Sequence, residues 1–470
     1  MKFNIEVNNL GKVKQAKLKL APFSVIAGAN SSGKSFVSRA LYSFFSTINK
    51  DHVTADALEI IVRITSILRS AYYAANNPSL IIQERYSELT VLISHLKESI
   101  SKELGSCTYI EQHTRAIILE EQINHAENMI KDLLLEIDNK KKYIDFKERI
   151  SLANRHLKEL KNNIKNPSNT LGKKIEQGFT EALKENFQVA NLSDLKNFTS
   201  QENEAISFNF GSLGEIKIDK ELIQFKLTAE SVHEFQSLYN VVFIESPIYW
   251  KLRKPLIKAK DKTPSFLKRF HREAESLSGV PKYFYDLIEL VDANLKSNSR
   301  NESIASLEEK INTTLGGELD ISESGDIFFK DSETSESVNI NLTATGVTNL
   351  GLIGLLLKRN VIAKGSFIFF DEPEVNLHPA WQKVMVETLY QLSRNGINVV
   401  IASHSIDMMK YIENIMDPLS IEDIEEHFAI NRLEKNGVSI IEDENPRQSM
   451  SKIKEDLGST FYDMVLGSDW

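Results

Sequence analysis

Gly28-Ala29-Asn30-Ser31-Ser32-Gly33-Lys34-Ser35 fits the pattern G-x-x-x-x-G-K-[ST], and the residues on either side of it decide the fold. Before it, Phe23, Val25 and Ile26 make a short apolar run that reads as a buried strand. After it, Phe36 to Phe45 contains no Gly or Pro and carries Val37, Leu41 and Phe44 at helical spacing. Strand, glycine loop and helix form the setting in which this pattern cradles phosphate. Gly28 and Gly33 permit a tight turn whose backbone N–H groups, from Asn30, Ser31 and Ser32 through to Phe36, point at phosphate oxygens, with the positive end of the helix behind them. Lys34 is placed to reach the β and γ phosphates of ATP, and the Ser35 hydroxyl to ligate Mg2+.

The bulk composition narrows the alternatives. A chain of 470 residues with 41% hydrophobic and 26% charged content is long enough for more than one folded domain and has an ordinary globular make-up. Its formal net charge of -9 speaks against capture of nucleic acid by the whole surface, while leaving room for a local basic patch. Cys107 is the single cysteine, so neither an intramolecular disulfide nor a thiolate zinc cluster can form within the chain. No stretch from Met1 to Leu10 reads as a secretory signal, and the apolar run Leu350 to Leu357 is too short to span a bilayer. The expectation is a cytoplasmic protein with no membrane partner.

Phe3, Ile5 and Val7, a turn at Asn8 to Gly11, then Val13, Ala16, Leu18 and Leu20 predict a β-hairpin leading into the phosphate-loop strand. From about Asp56 to Glu185 the sequence becomes long, charged and helical. Ile82, Tyr86, Leu89, Ile93, Leu96 and Ile100 form a narrow apolar stripe, and Ile123, Ile130, Ile137 and Ile144 recur every seven. A second phase, Ile150, Ala153, Leu157, Leu160 and Ile164, follows the polar stretch Asp138 to Lys142, which is either a hairpin tip or a slip in phase. A partly coiled-coil insertion and ordinary packed amphipathic helices both fit. Strand patterns return at Ile206 to Phe210, Ile216 to Ile218, Ile223 to Leu227 and Val241 to Ile244. A basic stretch with Lys251, Arg253, Lys254, Lys258, Lys260, Lys262, Lys268, Arg269 and Arg272 reads either as solvated helix or as a groove for nucleic acid or an acidic partner. Short strands follow between Gly316 and Leu342, and helix, strand, helix, strand from Thr348 to Ala402 predicts a parallel α/β core.

Ser366 to Phe370 is an apolar run ending in Asp371-Glu372-Pro373. A carboxylate at the end of a buried strand is what a nucleotide site needs to hold magnesium, the role that fits Asp371, and Glu372 beside it is placed to polarise the attacking water as general base. Val399 to Ala402 is a similar run ending in Ser403-His404-Ser405, where His404 could reach the γ-phosphate or the water. Thr343-Ala344-Thr345-Gly346 opens an apolar helix with Thr345 read as its N-cap, a helix end that offers N–H groups to an anion. Since the phosphate loop already has its own helix end, the natural use of Thr345 and Gly346 is the γ-phosphate of a second subunit.

Taken together, these residues resemble the ABC-type ATPase heads of the RecF, SMC and OLD group, and within it the stand-alone, AAA-labelled ATPases of phage-defence operons such as the Septu and PARIS systems. Asp371 to Pro379 resembles that group's Walker B and D-loop, with Leu377-His378-Pro379 in the manner of the OLD-like branch. Thr343 to Gly346 stands where the signature motif falls and His404 where the switch histidine falls. The signature carries Thr345 where Ser is usual, and no glutamine marks a Q-loop. The resemblance implies an α/β P-loop NTPase head with mixed sheet, an antiparallel β subdomain and a helical insertion. It implies hydrolysis of ATP to ADP and phosphate with Mg2+, a homodimer through the heads with higher homo-oligomers left open, and a separately encoded effector, since the 65 or so residues after His404 are too few for the nuclease domain often fused there. The alternative is a RecF-like DNA-binding ATPase of chromosome maintenance. The expected division is head at 1–50, helical insertion at 51–200, β-rich return at 201–250, basic helical segment at 251–312, head at 313–420, and a C-terminal hairpin (Phe428 to Ile441, turning at Asn436-Gly437) with a final helix at 421–470.

Overall fold

In the computed structural model, residues 2–75, 77–105, 107–137, 140–261, 279–293, 302–439 and 445–466 are described. The chain divides into two compact units: Met1–Thr47 with Phe179–Leu227 and Leu238–Trp470, and Ile48–Gly178 with Thr228–Ser237.

The first unit is α/β and is built on a five-stranded parallel sheet. Its strands are β3 (Phe23–Ala27), β7 (Val241–Ile244), β11 (Phe367–Asp371), β12 (Asn398–Ser403) and β13 (Phe428–Arg432), in the order β13-β3-β12-β11-β7. Every residue of β3, β7, β11 and β12 is buried, which is why they read as continuous apolar runs and not as alternating ones. The antiparallel pairing is carried by separate sheets. One joins β1 (Phe3–Leu10), β2 (Val13–Leu20), β4 (Ile206–Asn209), β5 (Gly214–Asp219) and β6 (Leu222–Leu227) in the order β2-β1-β4-β5-β6. The other joins β8 (Gly317–Ile321), β9 (Ile327–Asp331) and β10 (Ser337–Asn339). Parallel and antiparallel strands are thus both present, as expected, but sorted into different sheets.

An aromatic cluster fixes the helix Lys34–Ile48 that follows the glycine loop. Phe44 stacks on Phe210 with ring centroids 4.7 Å apart, Phe45 on Phe367 at 4.9 Å, and Tyr42 meets Phe243 edge-on at 5.5 Å. Such pairs each add about 0.5–1.5 kcal/mol beyond the area they bury. The helix that presents Lys34 and Ser35 is therefore clamped through Tyr42, Phe44 and Phe45.

The second unit answers the question left open by the heptads. Helices His52–Ala74, Leu80–Leu104, Tyr109–Ile137 and Ile144–Lys165 pack as a bundle, each against its neighbours in sequence and the first against the last. Ile123, Ile130 and Ile137 are buried, as are Ile150, Ala153, Leu157, Leu160 and Ile164. Glu127 pairs with Lys161 and Glu120 with Lys165, so the last two helices run antiparallel and the polar stretch joins them. Ile144 is 55% exposed: the seven-residue repeat ends at Ile137, where the helix itself ends.

One expectation is sharpened and one corrected. The chain does turn back at Asn436-Gly437, where Leu433 and Ser439 form an antiparallel bridge and the Glu434 N–H donates to the Val438 carbonyl at 2.9 Å, but β13 before the turn pairs parallel to β3, and Ile440 and Ile441 lie outside the described residues. The Gly437 carbonyl accepts the N–H groups of Lys14 and Gln15 from β2. Thr345 is not the N-cap of its helix. Ala344 occupies that position, in extended conformation and with no side-chain cap, and Thr345 is the first helical residue.

Candidate active site at the ends of the parallel strands

The parallel sheet brings distant parts of the sequence to one edge. Because β3, β12, β11 and β7 run side by side in the same direction, Gly28, His404, Asp371 and Glu245 all fall at or just beyond their carboxyl ends. That is where open α/β sheets place their ligands.

The loop after β3 is shaped by close approach and by handedness. A Cβ on Gly28 would lie 2.2 Å from the Leu433 carbonyl oxygen, so no side chain fits there. Gly33 has φ +104 and would meet Val13 at 2.7 Å, and Ser31 is also left-handed at φ +64. Asn30 and Ser31 are exposed and Ser32 is buried. The Phe36 ring packs against Gly11 and lies 5.2 Å from Phe187, which leaves its main chain as the part available to a ligand. Lys34 is 4% exposed and turns back over the loop, donating to the carbonyls of Gly28 at 2.9 Å and Ala29 at 3.0 Å. Burial lowers its pKa, opposed by the nearby charges of Glu372, Asp371 and Glu374.

Ser35 donates its hydroxyl to Asp371 Oδ1 at 3.0 Å, joining the loop to the end of β11. Burial, reinforced by Glu245, pushes the Asp371 carboxyl up to about 7, against the opposing pull of the Ser35 hydrogen bond. One hydroxyl and one carboxylate are hard oxygen donors suited to magnesium, which takes its remaining ligands from water and nucleotide phosphates. Among the described residues no cluster of three or more His, Cys, Asp or Glu could hold a metal by itself, so the fit is to a metal that arrives with a nucleotide.

Beyond Asp371 the chain makes a strained turn. Glu372 has φ +50 and Asn376 φ +62, and the Glu372 N–H continues the ladder to the Ala402 carbonyl at 2.8 Å. This aims the Glu372 carboxylate at His404, whose Nδ1 stands 3.1 Å from Glu372 Oε1. With Glu372 ionised, Nδ1 carries the proton in that contact.

Two acidic residues of the site escaped the sequence reading. Glu374 is 6% exposed, and its Oε1 accepts both the Ser403 hydroxyl at 2.7 Å and the His404 backbone N–H at 3.1 Å, while its Oε2 is buried with no hydrogen-bond partner among the described residues. Its signal was no more than being the second acid after β11. Glu245 follows β7, whose Ile244 pairs with Phe370, and so sits beside Asp371. Arg39 donates to its Oε1 at 2.9 Å and Tyr283 to its Oε2.

Thr345 and Gly346 lie elsewhere. No hydrogen bond or ion pair among the described residues joins them to Lys34, Ser35, Asp371 or His404. A Cβ on Gly346 would touch Leu377 at 3.2 Å and Trp381 at 3.4 Å, and Asn349 of the same helix donates to the Val375 carbonyl at 3.2 Å. The helix thus rests on the turn that carries Glu372. His378 earns its place by capping the next helix, accepting the Ala380 N–H at 3.3 Å with Pro379 in the first turn.

A phosphate loop joined to an acidic strand end defines a P-loop nucleotide site. The chain belongs to the AAA ATPase domain family, whose profile matches residues 1–409. No curated protein matches it. Among solved structures it is similar to an Smc head bound to the C-winged helix domain of ScpA, at 13% identity over 96% of this chain and 99% of that one, with a TM-score of 0.38. It is also similar to an Smc head with an extended coiled coil from Pyrococcus furiosus (13% identity, 97% and 98% covered, TM-score 0.37) and to an SMC head from Thermotoga maritima (11%, 87% and 91%, 0.31).

Proposed function

We propose that this ATPase-family chain binds ATP with Mg2+, hydrolyses it, and uses the nucleotide state as a switch. The observation that carries the reading is the meeting of Lys34, Ser35, Asp371, Glu372 and His404 at the ends of adjacent parallel strands, with Ser35 already bonded to Asp371 at 3.0 Å. Lys34 is the cation for the phosphates, its ammonium exchanging the Gly28 and Ala29 carbonyls for phosphate oxygens. Ser35 and Asp371 would hold the magnesium, which supplies charge neutralisation on the phosphates when bound. Glu372 takes the proton of the attacking water, and His404, anchored by its own N–H to Glu374, orients the Glu372 carboxylate. Thr345 and Gly346 serve the nucleotide of a second copy, so that two heads close on ATP as a homodimer. In our reading the switch controls a separately encoded effector, a nuclease, in defence against phage. What supports this last step is the resemblance of Asp371 to Pro379 to that group of ATPases.

Binding and turnover test the core of the reading: Lys34→Ala should abolish ATP binding, and Glu372→Gln should keep binding while removing turnover. A wild-type chain that binds no ATP would overturn it. The defence role requires that the product of an adjacent gene co-purify with the chain and that the pair protect cells from some phage; failure of both sinks that part alone. The alternative, a RecF-like DNA clamp, draws on the basic segment after β7. There Arg253 is 5% exposed and pairs with Asp292, Lys254 pairs with Asp326 at 2.5 Å, and Lys251 donates to the Thr343 carbonyl, so these three cations serve the fold. Lys262, Lys268, Arg269 and Arg272 lie outside the described residues.

A further inference from the structure

Past residue 409, where the family match ends, the chain returns to the phosphate loop. β13 lies against β3 with Arg432 opposite Ala27, and the next N–H, of Leu433, donates to the Ala27 carbonyl at 2.8 Å. The turn that follows is held to the start of β2 through Gly437, whose carbonyl accepts the Lys14 N–H at 2.8 Å. The final helix, Pro446–Leu466, is fastened to the same strand by Arg432, whose Nε lies 2.6 Å from Asp456 Oδ2. Between these pieces and the backbone of Gly28 and Ala29 is a cavity of about 370 Å³. Ile453 and Leu457 give it an apolar wall, and Glu434, Lys435 and Asp456 line it with charge.

We propose that this cavity receives the nucleoside of the bound nucleotide, so that residues 432–457 make the site prefer a nucleoside triphosphate to a bare polyphosphate. The inference rests on the phosphate-loop reading given above. The polarity of the sheet carries it. On one side of β3 stand β12 and β11 with His404, Asp371 and Glu372, the groups that act on the terminal phosphate. A triphosphate lying in the loop with its reacting end toward them sends its other end toward β13. The cavity is there, and its volume falls within the range of about 300–1,000 Å³ usual for small-molecule sites. A flat base gains from the Ile453 and Leu457 wall. The carboxylates of Glu434 and Asp456 can accept from ribose hydroxyls or an exocyclic amine, and the Lys435 ammonium can donate to a ring nitrogen.

The test is calorimetric titration of the full chain with ATP and with inorganic tripolyphosphate, both with magnesium. ATP should bind about tenfold or more tightly than tripolyphosphate. Leu457→Trp, which fills the cavity without adding charge, should bring ATP down to the tripolyphosphate level and leave tripolyphosphate unchanged. Lys435→Ala, at an exposed position, should narrow the ratio by about threefold without disturbing the fold. Equal binding of ATP and tripolyphosphate to the wild type, or an unchanged ratio in both variants, overturns the proposal while the phosphate loop stands. Failure of the wild type to bind either compound overturns the phosphate-loop reading and this inference with it.

Discussion

Asp371 is the residue whose chemistry depends most on its surroundings. With its carboxyl pushed up to about 7 by burial and by Glu245, it is largely neutral in mildly acidic solution. In the proposed role of Asp371 as a magnesium ligand the metal displaces a proton, so magnesium-dependent nucleotide affinity should rise by up to about tenfold per pH unit below 7 and level off above it. Titrations from pH 6 to 8 with and without magnesium check this, and a flat profile would refute it. The same shift has the opposite sign for the ligand-free fold. Between about pH 4 and 7 the folded state binds more protons than the unfolded one, so this group's contribution to stability falls as pH rises through that window. Glu372→Gln should lower turnover by about 10²–10⁴-fold with ATP binding retained, as expected for loss of a general base. Glu374→Ala should act on stability as well. It strips partners from the Ser403 hydroxyl and the His404 N–H, at a cost of about 1–3 kcal/mol for each group left buried and unpaired, readable by thermal denaturation.

At the scale of elements, backbone shape makes sharper predictions than side chains do. Gly33→Ala puts a methyl at φ +104 and 2.7 Å from Val13, so it should weaken ATP binding more than it lowers the melting temperature. Ile130→Ala in the helical unit should do the reverse, costing about 2–5 kcal/mol of stability there, with ATP binding unchanged. The elements that were legible in the sequence are those with an unbroken period. β3, β11 and β12 announced themselves as apolar runs because both of their faces are covered, and each delivered its polar residues at its end. The bundle announced its seams because only one face of each helix is buried, which leaves an apolar stripe at a regular spacing. What stayed hidden was the non-local half of a local signal. Asn436-Gly437 has hairpin chemistry and the chain turns back there, with Leu433 bridging Ser439, but turn residues do not specify which other strand their carbonyls meet; Lys14 and Gln15 claim Gly437. Helix starts fail in a related way. A Thr-Ala-Thr run offers two hydroxyls near the cap, and Thr343 instead spends its own on the Ile340 carbonyl. Glu245 and Glu374 were illegible because their importance comes from strand order, which no spacing along the chain encodes.

For the whole molecule, a switch made of two heads predicts assembly that depends on nucleotide. The Glu372→Gln chain should double its mass in light scattering when ATP and magnesium are added and stay at the lower mass with ADP; no change with ATP would argue against the paired heads. The sheet order has a separate consequence for how the protein is made. β3 is the second strand of its sheet, yet both its neighbours, β12 from Asn398 and β13 from Phe428, come near the other end of the sequence. At roughly 5–20 residues per second, a ribosome leaves Phe23–Ala27 without its partners for tens of seconds. The helical unit, whose contacts join consecutive helices, can form during that wait, since local contacts form fast and distant ones slowly. Synthesis of β12 and β13, more than any earlier step, is then the moment at which an unpaired apolar strand gains its partners. Chains stalled before Asn398 should be those that most need a chaperone.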